Sequence, residues 1–327
     1  MSTERDNALL QQKKSQILLT ALILVVLILL PKFIVGYWLR VFTVIFMFGI
    51  ISQGLNIMAG YMGYIPFGNA MFYGIGAYST AVAMSHGVPF VLSMCIGAAA
   101  SVVISVLFGL PVLRLRGHYF AIATIGMAGA LLSVVENATE FTGGAMGTTL
   151  PIIDMPPQQL YAYFYWGMLG LMVGTTLAMG LIMNSKFGYG IRSIKANEDA
   201  ANAMGINTTY HKVVTWAISA FFTSLAGSIY AYWMSFIAPT EVFDVMLVVN
   251  GIVILLVGGM GSILGPVLGA FIFELLSELT WSHFGEYHLA TLGISTILIV
   301  FLLPKGLIGK LESLKKKSIP IQDGKIY

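Results

Sequence analysis

The chain has 327 residues, of which 57% are hydrophobic and only 9% are charged, with a formal net charge of +3. An average soluble domain carries about 25% charged residues, so this chain is short of the polar groups that cover a water-soluble surface. Soluble enzyme, nucleic-acid binder and disordered protein are poor readings, and a polytopic membrane protein is the reading that remains.

A helix needs about 20 mostly apolar residues to cross roughly 30 Å of hydrocarbon. In chain order the predicted spans are 16–34, 39–58, 68–85, 88–112, 119–137, 160–183, 213–236, 245–259, 265–281 and 288–303. The expected fold is therefore all-α, with about ten transmembrane helices in a single transmembrane domain over 1–327. The first span follows a polar head and lacks a small-x-small cleavage site, so it reads as a retained anchor. The lone Cys95 lies in an apolar run and allows no intramolecular disulfide.

Basic residues set the direction. With the N-terminus inside and alternating spans, Arg5, Lys13 and Lys14 fall in a cytoplasmic segment 1–15. Arg114 and Arg116 are also inside, as are Lys186, Arg192, Lys195 and Lys212 in a loop over 184–212. Lys305, Lys310, Lys315, Lys316, Lys317 and Lys325 fall in a cytoplasmic tail, 304–327. Of the 17 basic residues only Lys32 and Arg40 fall outside, at span ends where they can reach headgroups. The expected orientation is N-in and C-in.

Two segments interrupt the apolar runs. In 55–78, LNIMAGYMGYIPFGNAMFYGIGAY, the breakers are Gly60, Gly63, Pro66, Gly68 and Asn69. In 254–270, ILLVGGMGSILGPVLGA, they are Gly258, Gly259, Gly261, Gly265 and Pro266. Proline removes a backbone donor and glycine loosens helix. Freed backbone groups at membrane depth are tolerated only inside protein or beside a water-filled cavity. Paired broken segments point to a substrate path. Close helix packing through the GxxxG steps at Gly261, Gly265 and Gly269 is the other reading, and the two can coexist.

Between these segments come several features of weaker signal. Arg114, Arg116 and His118 sit at a cytoplasmic boundary, suited to anionic headgroups or to a partner subunit. The external stretch 138–160 holds Glu140 and Asp154 but no Lys or Arg, and is a place for a binding protein to dock. In the loop, Asn197 reads as an N-cap, with Glu198 and Asp199 in the first turn of a short helix. Ala200, Ala201 and Ala203 favour helix, and Gly205 reads as its C-terminal stop. So short a helix needs something to dock on. Further along, Glu274 and Glu278 lie one turn apart on one face, suited to a vestibule or to a neighbouring subunit. His283, Glu286 and His288 read as a solvated turn rather than a metal site. No P-loop motif and no HExxH occur in the sequence.

Asp199-Ala200-Ala201-x-x-x-Gly205 resembles the EAA-x-x-x-G loop of permease subunits of bacterial ATP-binding-cassette importers, with Asp in place of Glu. The runs GYMGYIPFGNAMFYGIGAY (60–78), LPVLRLRGHYFAIATIG (110–126), TGGAMG (142–147), ILLVGGMGSILGPVLGA (254–270) and FLLPKGLIG (301–309) resemble the branched-chain amino-acid permease family, in its LivM-type branch. In order and spacing these cover about 38–310. The resemblance implies a multi-pass permease of a bacterial or archaeal cytoplasmic (inner) membrane. It implies a second permease subunit, two ATPase subunits and an extracytoplasmic binding protein. Cofactors are expected only on partner chains, as ATP and Mg on the ATPases. The ATPase interface implied is Asn197, Glu198, Asp199, Ala200, Ala201 and Gly205. The candidate path residues are Gly60, Gly63, Pro66, Gly68, Asn69, Gly258, Gly259, Gly261 and Gly265.

The expected function is transport by alternating access, driven by ATP hydrolysis on partners, with a branched-chain amino acid as substrate. A urea or short-amide permease is an alternative. So is an ion-coupled secondary carrier, which would depend on Glu274 or Glu278. A membrane-embedded enzyme lacks any nucleophile–base or metal constellation.

Overall fold

The computed structural model describes residues 21–34, 36–302 and 306–310. The predicted segment 1–15, the start of the first predicted span and most of the tail 304–327 lie outside the described residues. The described chain is almost wholly helical. Its helices are α1 (Ala21–Lys32), α2 (Tyr37–Met62), α3 (Ala70–Ser85), α4 (Phe90–Val112), α5 (His118–Asn137) and α6 (Pro157–Met183). There follow α7 (Lys186–Ala196), α8 (Glu198–Ala203), α9 (Thr208–Met234), α10 (Val245–Gly258), α11 (Gly265–Phe284) and α12 (His288–Leu302). Among the described residues the strands are β1, Thr148–Thr149, and β2, Phe236–Ile237, paired antiparallel with Thr148 opposite Ile237.

Among the described residues six helices are long and apolar enough to cross a membrane: α2, α4, α5, α6, α9 and the stretch Pro239–Gly258 that ends in α10. This is a multi-pass helical protein, but helix length and composition support fewer crossings than the ten read from the sequence. The shortfall has local causes. Pro66 and the one-turn 3-10 segment Phe67–Asn69 delay α3, which keeps 16 residues. Helix α11 has 20 residues, but Glu274 and Glu278 interrupt its apolar face. Helix α12 has 15.

The core is built on α2, α3 and α9. Eighty-nine per cent of the apolar window of α2 is buried, against 17% for α5. Polar groups on α2 therefore face protein, whereas α5 exposes Tyr119, Ile122 and Val134. Gly76 on α3 and Gly227 on α9 let the two backbones touch, since a Cβ at either would overlap main-chain atoms of the other helix. Ser228 Oγ adds a hydrogen bond to the Gly76 carbonyl at 3.1 Å. Trp216 of α9 sits edge-on to Phe72 and Phe120 and is fully buried.

The stretch 138–156 is not a free loop. It forms a helical turn, Thr139–Thr142, and then the ladder strand that pins it beside the end of α9, where Leu150 N donates to the Ser235 carbonyl at 2.9 Å.

Candidate functional site

The stretch 184–212 folds as a corner of two helices. The first, α7, was not expected from the sequence. Gly188, Gly190, Ile191 and Ile194 form its buried face, and Ser185 accepts from Gly188 N to cap it. The second, α8, has the ends expected. Asn197 Oδ1 accepts from Ala200 N at 3.0 Å. Gly205 takes a left-handed φ of +86°, which an L side chain adopts only with strain. Asn207 then caps α9 by accepting from Tyr210 N at 2.9 Å.

Six residues do not hold a helix in water, and the structure supplies the docking. Ala201 is buried. Glu198 points into the bundle, where Oε1 lies 2.5 Å from Lys212 Nζ, and Oε2 accepts from the Tyr64 hydroxyl at 2.5 Å. Arg116 Nε approaches the same carboxylate at 3.5 Å. Lys212 is itself buried, donates to the Leu113 carbonyl at 3.0 Å and lies 4.8 Å from the Tyr64 ring centroid. One carboxylate thus ties α8 to the segment after α2, to the α4–α5 connection and to the start of α9. Asp199 points outward and takes both guanidinium nitrogens of Arg116, at 2.8 and 3.1 Å. Arg116 therefore holds this helix from within its own chain.

Charge chemistry follows the geometry. Burial disfavours the Glu198 carboxylate, but hydrogen bonds from Lys212 and Tyr64 and the charges of Lys212 and Arg116 outweigh it. Its pKa lies below the ordinary 4.5. Hydrogen bonds and charge from Arg116 hold Asp199 below its ordinary 3.8. Burial, then the bond to Glu198, pushes the Tyr64 phenol up, so it stays a donor.

The two interrupted segments meet beside this corner. Helix α2 leaves α geometry at Asn56, runs as a π turn to Met62 and stops at Gly63, φ +86°. The chain between α10 and α11 turns at Gly259 and Gly261. Asn56 bridges the two: Oδ1 accepts from Gly261 N at 2.9 Å, and Nδ2 donates to the Ser262 carbonyl at 2.8 Å. Gln53 Nε2 donates to the Ile263 carbonyl at 2.7 Å. The freed backbone is thus satisfied inside protein, as the membrane interior requires. Gln53 Oε1 is buried and has no partner among the described residues. Lys195 of α7 donates to the Gly60 carbonyl at 2.5 Å, which joins the seam to the corner.

Of the nine candidate path residues, Gly60 and Gly261 face each other and line a cleft of about 800 Å³ with Lys195 and Arg192. Gly258 packs against the backbone of Gly265, and Gly265 against that of Gly259. Gly63 and Pro66 shape the turn before α3. Gly68 presses on the backbone of Thr124 in α5 and donates to its hydroxyl at 3.2 Å. Asn69 is buried against α9, bonded to Ser219, Thr223 and Trp216. Apart from Gly60 and Gly261 at the cleft, these residues make packed seams and turns.

Sequence reading missed Gln53, Asn56, Tyr64 and Lys212. Gln53 and Asn56 carried a usable signal, as two amides three residues apart in an otherwise apolar helix. Tyr64 carried none, because its pairing with Glu198 spans 134 residues, and Lys212 read only as one more basic residue of the loop.

At the other end of the molecule, Glu274 and Glu278 line one cleft of about 360 Å³ with Tyr37, Arg40, Ser277 and Trp281. The Tyr37 hydroxyl donates to Glu278.

Comparison with known proteins places this architecture. Residues 37–303 match the family model described as branched-chain amino acid transport system / permease component. The chain is 28% identical to the high-affinity branched-chain amino acid transport system permease protein LivM of Salmonella typhimurium, covering 90% of this chain and 75% of the relative. It is 27% identical to LivM of Escherichia coli, with the same coverage. LivH of Salmonella typhimurium is 24% identical, over 81% of this chain and 92% of the relative. No solved structure matches the chain.

Proposed function

The chain belongs to the family of branched-chain amino acid transport permease components, and from that premise we propose that it is one of two permease subunits of an ATP-driven importer. Its substrate is a branched-chain amino acid. Ten crossings with both termini in the cytoplasm are consistent with its basic residues, if α1, α3, α11 and α12 complete crossings within the assembled bundle. A binding protein delivers substrate from outside, where the pinned stretch 138–156 offers a platform. Two ATPases dock from inside, carrying ATP and Mg.

The observation that carries this reading is the clamp on Glu198. The outer surface of α8, with Asn197, Asp199, Ala200 and the 84% exposed Met204, is free for an ATPase groove. Its inner surface is fixed to three segments of the bundle. A push or pull on α8 therefore acts at once on α9 through Lys212, on the broken end of α2 through Tyr64, and on the α4–α5 connection through Arg116. Lys195 passes the same motion to Gly60 and the Asn56 seam. Alternating access then consists of opening and remaking that seam. Glu198 and Ala201 hold the helix on its own bundle. Asn197, Asp199, Ala200 and Gly205 form the part of the expected interface left for the partner.

Affinity purification of the tagged chain from gently solubilised membranes tests the reading. Wild type is expected to bring down a second permease and ATPase subunits, and a Gly205→Pro, Asp199→Arg variant to lose the ATPases while keeping the sister permease. A wild-type chain that purifies alone and transports in ATP-free liposomes would overturn it.

A further inference from the structure

The end of the bundle opposite α8 holds a small pocket of about 330 Å³ between α2, α3, α9 and the start of α10. Its floor is aromatic. Tyr73 is buried, donates to Met47 Sδ at 3.1 Å and lies 5.6 Å, ring to ring, from Tyr230; Trp233 stands edge-on to Tyr230. Its rim is charged with both signs. Arg40 stands on α2, Glu241 on the turn Pro239–Val242, and Asp244 caps α10 by accepting from Met246 N at 2.9 Å. Arg40 and Glu241 are exposed, and neither side chain makes a hydrogen bond or ion pair among the described residues. Both line the same pocket as Tyr230.

We infer that this pocket is an admission site for a free amino acid with an apolar side chain, held at its carboxylate by Arg40, at its ammonium by Glu241, and at its side chain by Tyr230, Trp233 and Met47. Three features select that ligand. The volume is at the small end of the roughly 300–1,000 Å³ usual for small-ligand sites, which suits one amino acid and not a peptide. A zwitterion leaving water needs a partner for each charge, and here a guanidinium and a carboxylate stand unpaired above one apolar floor. Arginine presents the planar fork that a carboxylate accepts. Asp244, already committed to its cap, supports Glu241 with the same sign of charge. Arg40 also lines the neighbouring cleft that holds Glu274 and Glu278, where the Tyr37 hydroxyl donates to Glu278, and it forms no ion pair with either glutamate. The exposed rim suits a transit site rather than a store.

The inference rests on the importer reading, and the test separates the two. Vesicles carrying the complete importer are incubated with a diazirine analogue of leucine, illuminated, and the labelled peptides identified by mass spectrometry. ATP-driven leucine uptake is measured in the same vesicles. The expected label falls on Met47–Phe48 or on Tyr230–Leu247. Excess leucine removes it, whereas leucinol, without the carboxylate, and 4-methylpentanoate, without the ammonium, compete about tenfold less well. Arg40→Gln and Glu241→Gln each lower labelling by about tenfold, and Arg40→Lys retains part of it. Intact uptake with no label here, or label indifferent to both variants, would overturn the site alone; a sister-subunit segment filling the pocket gives that result. Vesicles that import no branched-chain amino acid would overturn both readings.

Discussion

At the start of α9, Lys212 is buried and its ammonium is engaged by Glu198 and by the Leu113 carbonyl. About 30 Å along the same helix, Tyr230 and Trp233 face Arg40 and Glu241, which have no ionic partner among the described residues. One end has its charges closed into a network; the other leaves them open above an aromatic floor. A closed network passes force between segments, because no charge in it can shift without leaving another unpaired in a low dielectric. Open charges await a ligand. The contrast assigns transmission to the α8 end and recognition to the opposite end, with α9 as the rigid member between them.

The strongest way to break the contrast is to open the closed end. Lys212→Met leaves the Glu198 carboxylate buried with its main partner gone, and is expected to cost about 3 kcal/mol. A lowered thermal midpoint in detergent would register it. The double variant Lys212→Met, Glu198→Gln should recover part of that loss, whereas independence of the two changes would mean that the pair does not act as a unit. Next in size is the seam. Asn56→Leu removes the acceptor for Gly261 N and the donor to the Ser262 carbonyl, leaving two half-buried backbone groups without that partner at about 1–3 kcal/mol in total. Its expected mark is faster cysteine labelling at position 261 or 262.

A third test uses acid. Glu198 and Asp199 have folded pKa values below their ordinary 4.5 and 3.8, so their contribution is fully present above the ordinary values. It is lost as pH falls below about 4.5 through the depressed folded values. Wild type should therefore show a steeper acid limb in thermal stability than Glu198→Gln. Superimposable limbs would contradict the clamp. The smallest effect belongs to Arg116→Gln. Its close partner Asp199 is on the surface and its approach to Glu198 is a longer 3.5 Å from a half-exposed guanidinium, so these pairs contribute little and are screened by salt. Stability should barely change, while the sensitivity of coupled ATPase activity to salt should fall.

Much of this organisation was legible in the sequence, and the limits have physical causes. Apolar runs located the helices, and Asn197 and Gly205 marked both ends of α8, because caps are local chemistry. Helix α7 was hidden because Lys186, Arg192 and Lys195 obscure a narrow buried stripe of Gly188, Gly190, Ile191 and Ile194. Six of the ten predicted spans are long apolar helices among the described residues, while Pro66 shortens α3 and two glutamates lower the hydropathy of α11. The site was half legible. Adjacent residues on a helix point about 100° apart, so Glu198 and Asp199 looked like one acidic pair. Only the fold sends one inward to Lys212 and the other outward to Arg116. The glycines of the two broken segments were found as a group, but what joins the segments is the amide of Asn56.

The most direct test of the clamp is the number of leucine molecules imported per ATP hydrolysed by the complete importer in sealed vesicles. Wild type and Glu198→Gln would be compared with Met204→Ala, which changes only the outer surface of α8. Glu198→Gln is expected to keep ATP hydrolysis while import per ATP falls several-fold, because α8 still binds the ATPase but no longer grips the bundle. An unchanged ratio in Glu198→Gln, with hydrolysis intact, would contradict it.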